Sequence, residues 1–410
     1  MNKPLTGIRV IELGAYIAGP FASRVLAEFG ATVTKVEPPE GDQIRRWGLH
    51  EENQDSYWSM VQTRNKQSIA VDLHSTEGQD IVRELIRGAD VVLENFKPGT
   101  LEKWNLSHEK MKTLNPRLII TSVTGFGQTG PYHQRPGFGN IAESMGGMRY
   151  LTGFPDRPPV RIGLSLGDSI AALYAVIGTL LALYQRDVQG GTGTPGQVVD
   201  VALYEAVFSL LEGIVPEYVH LGKVRERTGN QLPATAPSNM YQTGDGKYVA
   251  IGANNNSLFI RLMNLMGRED LAHEESLQGN AGRVKEAQRI DVAIEAWTRQ
   301  HALADVLQTL NQHAIPAGPI YSIADILCDE QYQARDMFVT VPDERVGQVV
   351  MPGIVPKLSS TPGKIEWAGP ACGSHTATVL SQLGYSQDKI SALTAKGVIY
   401  CAIPQECPVS

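Results

Sequence analysis

Strand, helix and strand follow one another within the first 37 residues, and that order most restricts the fold. Residues 7–13 carry a short apolar strand pattern, and 14–20 form a turn bearing Gly14, Gly19 and Pro20. A helical pattern over 21–29 stops at Gly30, and 31–37 is a β-branched strand closed by Pro38 and Pro39. Strands joined through a helix lie parallel, because the crossover returns the chain to its starting edge. The alternation continues with a strand at 68–72, a helix at 78–87, a strand at 90–94 and a strand at 118–124. It predicts an α/β fold with a Rossmann-like parallel sheet in a large domain. Ligand loops in such sheets gather at the carboxyl ends of the strands. Those ends are 14–20, 37–46, 72–75, 95–103 and 125–138.

A dinucleotide-binding dehydrogenase is the first alternative, with Glu37 as the ribose acid. The glycines argue against it. A pyrophosphate loop needs G-x-G-x-x-G, whereas this turn reads Gly14-x-x-x-x-Gly19-Pro20, and Pro20 removes an N–H from the helix start. No Lys-Ser/Thr follows, so it is not a P-loop either.

The second constraint is the run Ile170–Tyr184, nearly all apolar and too long for a strand. It reads as a buried helix. Asp168 stands at or just before its first turn, where free N–H groups and the positive dipole end stabilise an anion. Asp168 is thus either an N-cap or a functional carboxylate. Gly163 and Gly167 flank the loop that delivers it.

The chain has 410 residues and a net charge of −7, enough for two or three domains and no electrostatic invitation to nucleic acid or an anionic membrane. Cys328, Cys372, Cys401 and Cys407 are scattered without a CxxC pair, so neither zinc nor a disulfide framework is indicated. No uncharged apolar run reaches the roughly 18 residues of a membrane span. The expectation is a cytoplasmic protein that binds no metal, no membrane and no nucleic acid. Downstream, 202–221 reads as one amphipathic helix, and 247–251 as a strand. The loop Gly252–Asn256 is suited to left-handed backbone. The expected layout is a large domain over 1–222 containing Asp168, a smaller α+β domain over 240–315 and a C-terminal segment over 322–410. Residues 223–239 and 316–321 are the linkers.

The sequence carries no H-E-x-x-H and no G-x-S-x-G elbow, and Ser169 has no nearby base. The best nucleophile is therefore a carboxylate. Several segments together resemble the class III CoA-transferases, the family of formyl-CoA, carnitine and succinyl-CoA:dicarboxylate CoA-transferases. They are Pro4-Leu-x-Gly7-Ile-x-Val10, Ala18-Gly19-Pro20, Gly30-Ala-x-Val-x-Lys35-Val-Glu37 and Gly41-Asp42-x-x-Arg45. Asn65-Lys66-x-Ser68-Ile69, Glu94-Asn95-Phe96-x-Pro98-Gly99, Gly125-x-Gly127-Gln128-x-Gly130-Pro131 and Gly167-Asp168 complete the set.

The resemblance implies coenzyme A as an acyl-CoA substrate, a small carboxylic acid as its partner and an interlaced homodimer in which 322–410 returns to the large domain. It makes Asp168 the nucleophile, carrying a mixed anhydride and then an aspartyl-CoA thioester. Its CoA contacts fall on Ile17, Ala18, Val71, Asp72, Leu73, His74, Asn95, Phe96, Lys97, Lys103, Arg135, Pro136, Gly137 and Phe138. Lys103 stands where formyl-CoA transferase has an arginine, and Ile17 where it has a glutamine, which argues against oxalate. Phe138 occupies the position of the histidine in α-methylacyl-CoA racemase, the sibling alternative, and cannot move a proton. Succinyl-CoA is the expected donor and a dicarboxylate the expected acceptor. Arg45 and Arg46, with Tyr16, Gly252 and Asn254, are the candidate acceptor residues, since arginine grips a carboxylate bidentately.

Overall fold

A computed structural model describes residues 3–402 apart from 53 and 192. Among the described residues the strands, in chain order, are β1 (Arg9–Glu12), β2 (Thr32–Glu37), β3 (Lys66–Val71), β4 (Val91–Glu94), β5 (Ile119–Thr124), β6 (Val198–Ala202), β7 (Ser238–Gln242), β8 (Tyr248–Gly252), β9 (Ala317–Pro319), β10 (Phe338–Asp343), β11 (Gly347–Pro352) and β12 (Ile399–Tyr400).

The chain divides into two compact units: Met1–Met148 with Ile162–Gly213 and Ala334–Ser410, and Arg149–Arg161 with Ile214–Gln333. Residues 149–161, 214–222 and 322–333 therefore fall in the second unit, not in the large domain as the expected boundaries had them.

The first unit is built on a seven-stranded sheet in the order β12-β3-β2-β1-β4-β5-β6. Every pairing is parallel except that of β12 with β3. β1 lies between β2 and β4, so the strand order reverses there and a crevice opens beyond the strand ends. One face of the sheet is covered by a core that includes Ile69, Ile81, Ile86, Val92, Ile120 and Leu380. The other carries Val10, Ala22, Leu26, Val91, Ile119 and the alanine-rich side of the Leu166–Tyr184 helix, with Ala171, Ala172 and Ala175 fully buried. Alanines let that helix approach the sheet closely.

The helix starts at Leu166 and continues into a π-helical turn, Gln185–Gln189, where the sequence pattern marked an end. The combined segment Leu166–Gln189 is long and apolar enough by composition to cross a bilayer, beyond the length read from the apolar run alone. Its buried side packs on the sheet. The opposite side exposes Leu173, Ile177, Leu181 and Tyr184.

Two other expectations change. The helix read over 202–221 is broken into Leu203–Phe208, a 3-10 turn Ser209–Leu211 and Ile214–Leu221, with Glu212 at a φ of 41°. The antiparallel pair β10–β11, not foreseen, packs Val341, Val349 and Met351 against Phe29 and Met60.

In the second unit β7, β8 and β9 form an antiparallel sheet covered by helices. Phe259, Leu262, Ile290, Ile294, Val306 and Leu310 fill its core.

Candidate active site

The carboxyl ends of β1 to β4 open onto a cavity of about 590 Å³, lined by Gly14, Tyr16, Glu37, Pro38, Asp72, His74, Phe96 and Trp104 among others. The loop after β1 is held from two sides. Ala15 N–H donates to Asn95 Oδ1 (2.7 Å), and Asn95 Nδ2 donates back to the Ala15 carbonyl (2.8 Å). Gly14 and Gly19 approach each other so closely that a Cβ on Gly19 would lie 3.0 Å from the Gly14 Cα and 3.2 Å from Asn95 Oδ1. Asn95 thus bridges the β1–β4 switch point. Tyr16 follows with φ 63°, and its N–H donates to Asp42 Oδ1 (3.1 Å). A non-glycine residue in that region is strained and persists only where its surroundings hold it.

Below this loop lies a buried set of charges. Lys35 Nζ donates to Glu12 Oε1 (2.8 Å), Asp42 Oδ2 (2.9 Å) and the Gly14 carbonyl (2.8 Å), which uses all three of its protons. Lys66 Nζ donates to Glu12 Oε2 and the Pro20 carbonyl, both at 2.8 Å. Arg45 forks onto Glu37 through Nε (2.7 Å) and Nη2 (2.6 Å), and its Nη1 reaches Asp55 (2.7 Å). Ser68 Oγ and the Asp42 N–H donate to the remaining positions of Glu37.

Burial alone would raise the Glu37 carboxyl and lower the Arg45 guanidinium. Their mutual attraction reverses both, holding Glu37 at about 2 and raising Arg45. Lys35 is likewise raised against its burial by Asp42 and Glu12. For Lys66 burial wins over Glu12, and its ammonium falls to about 8. Burial, with Glu37 nearby, pushes the Cys372 thiol up to about 12.

The second feature is the start of the Leu166–Tyr184 helix. Ser165 is the N-cap and Asp168 the third helical residue, so Asp168 is not itself the cap. Ser169 lies one residue further in, its hydroxyl donating to the Ser165 carbonyl (3.0 Å). Asp168 is partly exposed. Its carboxylate rests against the main chain of Gly139, the first residue of the short Gly139–Met145 helix. A Cβ built on Gly139 would stand 2.0 Å from Asp168 Oδ2 and 2.6 Å from Cγ. The preceding residue, Phe138, is exposed, and its ring meets Tyr16 edge-on at 6.0 Å. Tyr16 in turn lies 5.0 Å from the Trp47 ring. An aromatic row therefore links the cavity at Tyr16 to Asp168 by way of Phe138 and Gly139.

Of the residues expected to touch CoA, Val71, Asp72, Leu73, His74 and Phe96 line the cavity. His74 is exposed, 3.1 Å from Asp72 Oδ1, with its ring edge-on to Trp104. Lys97, Lys103, Arg135, Pro136 and Phe138 are exposed, and Arg135 stacks on Tyr132 at 3.6 Å. Gly137 closes on Gly125, where a Cβ would be 2.9 Å from the Gly125 Cα. Ile17 and Ala18 are buried beneath the loop.

Some candidates change role. Arg45 is not available to an acceptor carboxylate, because Glu37 and Asp55 already occupy its guanidinium. Glu37 is not a ribose acid either, because Arg45, Ser68 and Asp42 saturate its oxygens. Arg46 remains exposed, donating to the Glu40 carbonyl at 3.3 Å. Gly252 and Asn254 belong to the second unit. No residue of 252–256 adopts a positive φ, so the left-handed loop expected there does not form. The Asn254 carbonyl instead accepts from the buried Arg283 (2.8 Å). Sequence reading missed Gly139 and Glu143, which meet Asp168 and Gly167 only in the folded chain. The phrase Gly137-Phe138-Gly139 carried the one local hint of close packing.

Residues 5–376 match the model of CoA-transferase family III. The chain belongs to this family. It is 48% identical over 400 residues to succinyl-CoA–D-citramalate CoA-transferase of Chloroflexus aurantiacus, covering 97% of this chain and 98% of that one. It is 37% identical to succinate–glutarate CoA-transferase of Agrobacterium fabrum, over 93% of this chain and 96% of the relative. Among solved structures, a CAIB/BAIF family protein from Brucella suis superposes with a TM-score of 0.83 at 36% identity, over 93% of this chain and all of that one. The enzyme is a class III CoA-transferase, and its α/β fold with a mostly parallel sheet is that of its structural relatives.

Proposed function

We propose that this CoA-transferase moves CoA from succinyl-CoA to a small dicarboxylate, with Asp168 as the covalent nucleophile. The carrying observation is the start of the 166–184 helix: a partly exposed carboxylate in a first turn, lodged on a residue without a side chain, at the end of an aromatic row leading from the cavity.

Asp168 attacks the thioester carbonyl carbon. The C–S bond breaks, CoA leaves as thiolate, and a succinyl-aspartyl anhydride forms. The thiolate then attacks the Asp168 carbonyl, succinate departs, and an aspartyl-CoA thioester remains. The acceptor carboxylate attacks this thioester and releases the thiolate again. The thiolate takes the acceptor's acyl carbon and returns Asp168 as a free carboxylate. Thioester is exchanged for thioester, so the step is close to energy-neutral. The nucleotide end of CoA is assigned to the cavity at Val71–His74 and Phe96, with Lys97 and Lys103 nearby for phosphate.

The relatives' named substrates, D-citramalate with succinyl-CoA and glutarate with succinate, support a dicarboxylate acceptor. With Arg45 withdrawn, the exposed guanidinium groups of Arg46 and Arg135 are assigned to the second carboxylate, with Tyr16 as a further acceptor candidate. We also read the protein as a cytoplasmic homodimer. The apolar face of the 166–184 helix, left uncovered in the single chain, supports a second copy as its cover.

A panel tests the substrate reading: succinyl-CoA, acetyl-CoA and formyl-CoA as donors against citramalate, malate, glutarate, mesaconate, oxalate and carnitine, read as new CoA esters by mass spectrometry. Esters of the five-carbon and four-carbon dicarboxylates with succinyl-CoA are expected. Products from carnitine alone would overturn the acceptor class.

A further inference from the structure

The first turn of the helix that presents Asp168 donates a hydrogen bond to a neighbouring helix. Ser165 stands at the N-cap and makes no side-chain capping bond. The Gly167 N–H instead donates to Oε1 of Glu143 (3.2 Å), a carboxylate from the neighbouring Gly139–Met145 helix that is only 2% exposed. Glu143 takes no part in the transfer steps themselves.

The two helix starts also interlock. A Cβ on Gly167 would lie 3.0 Å from the Gly139 carbonyl oxygen and 3.2 Å from Glu143 Cγ. A carboxylate at the third position of a helix can turn back toward the amides of its own first turn. Here Glu143 takes the Gly167 amide, and the Asp168 carboxylate lies against Gly139.

We propose that Glu143 is a positioning residue for Asp168. By accepting the Gly167 N–H it fixes the first turn of the helix, and with it the direction of the Asp168 carboxylate. The proposal rests on the reading of Asp168 as nucleophile.

The test uses Glu143→Gln, Glu143→Asp and Glu143→Ala, with Asp168→Ala alongside, each assayed for kcat, for KM of succinyl-CoA and by thermal unfolding. Gln keeps an acceptor oxygen at the same reach and should turn over within about threefold of wild type, since the geometry is kept. Asp is one methylene too short and Ala has no acceptor. Both should lose about 10- to 100-fold in kcat with KM changed less than about threefold, the signature of a displaced reacting group.

Asp and Ala variants as fast as wild type would overturn the proposal. So would a Gln variant as slow as Ala, because charge and not the bond would then matter. If Ala does not fold, the Gln and Asp variants decide by themselves, and a Gln variant that does not fold also counts against it. Wild-type turnover by Asp168→Ala would remove the nucleophile reading itself. An inactive Asp168→Ala beside unaffected Glu143 variants would remove only the positioning role.

Discussion

The ends of β1–β3 and the start of the 166–184 helix organise polar groups in opposite ways. Under the Tyr16 loop, Lys35, Glu12, Asp42, Glu37 and Arg45 are buried and saturate one another. Lys35, Glu37 and Asp42 line the cavity but leave little hydrogen-bonding capacity for a ligand. At the helix start the Asp168 carboxylate is partly exposed and rests on Gly139, where no side chain intervenes. The first region spends its charges on holding a strained loop in place. The second leaves the Asp168 carboxylate partly exposed. Charged residues at the end of a parallel sheet are therefore not by themselves evidence of substrate contact.

Substitutions can break this contrast. Asp168→Ala should lower kcat on the order of 10^4-fold, as removal of a covalent nucleophile does, while CoA binding at the cavity is kept. Isothermal titration with CoA beside the turnover assay checks both halves. Lys35→Met should do the reverse. It strands Asp42 without its cation, leaves Glu12 with Lys66 alone, and should cost about 3–5 kcal/mol of stability, read by denaturant unfolding.

Acid should reach the first region selectively. Glu37 has an ordinary value of 4.5 and is held at about 2 when folded. A depressed carboxylate contributes stability above 4.5 that is lost as pH falls toward 2, roughly 3 kcal/mol for this group. Glu12 shifts in the same direction and adds to the loss. Unfolding free energy measured from pH 6 to pH 2.5 should fall across that window, and less steeply in Glu37→Gln. Gly139→Ala sharpens the comparison most finely. Its methyl would collide with the Asp168 carboxylate and should cost about 100-fold in kcat by displacing it, with little change in melting temperature.

Much of this was legible in the sequence, for local reasons. Period and punctuation located β1 to β5, because Pro38–Pro39 and the glycine loops mark strand ends within a few residues. Asp168 stood out because an apolar run followed it. What stayed illegible was non-local. Arg45 looked like an anion-binding arginine because its partner Glu37 lies eight residues back across a strand end. The β10–β11 pair alternates as a strand should, yet the turn at 344–346 carries no Asn-Gly or Gly-Gly signal. β12 is two residues long and exists only through its pairing with β3. Gly139 and Glu143 touch the Asp168 turn from 24 or more residues away, and no local pattern announces such a meeting.

The covalent role of Asp168 can be tested without a mutant. The enzyme is incubated with succinyl-CoA and no acceptor, quenched with hydroxylamine, digested and mapped by mass spectrometry. A hydroxamate on Asp168, absent when CoA replaces succinyl-CoA, is the predicted result. Full turnover with Asp168 unmodified, or a hydroxamate confined to another carboxylate such as Glu143, would contradict it.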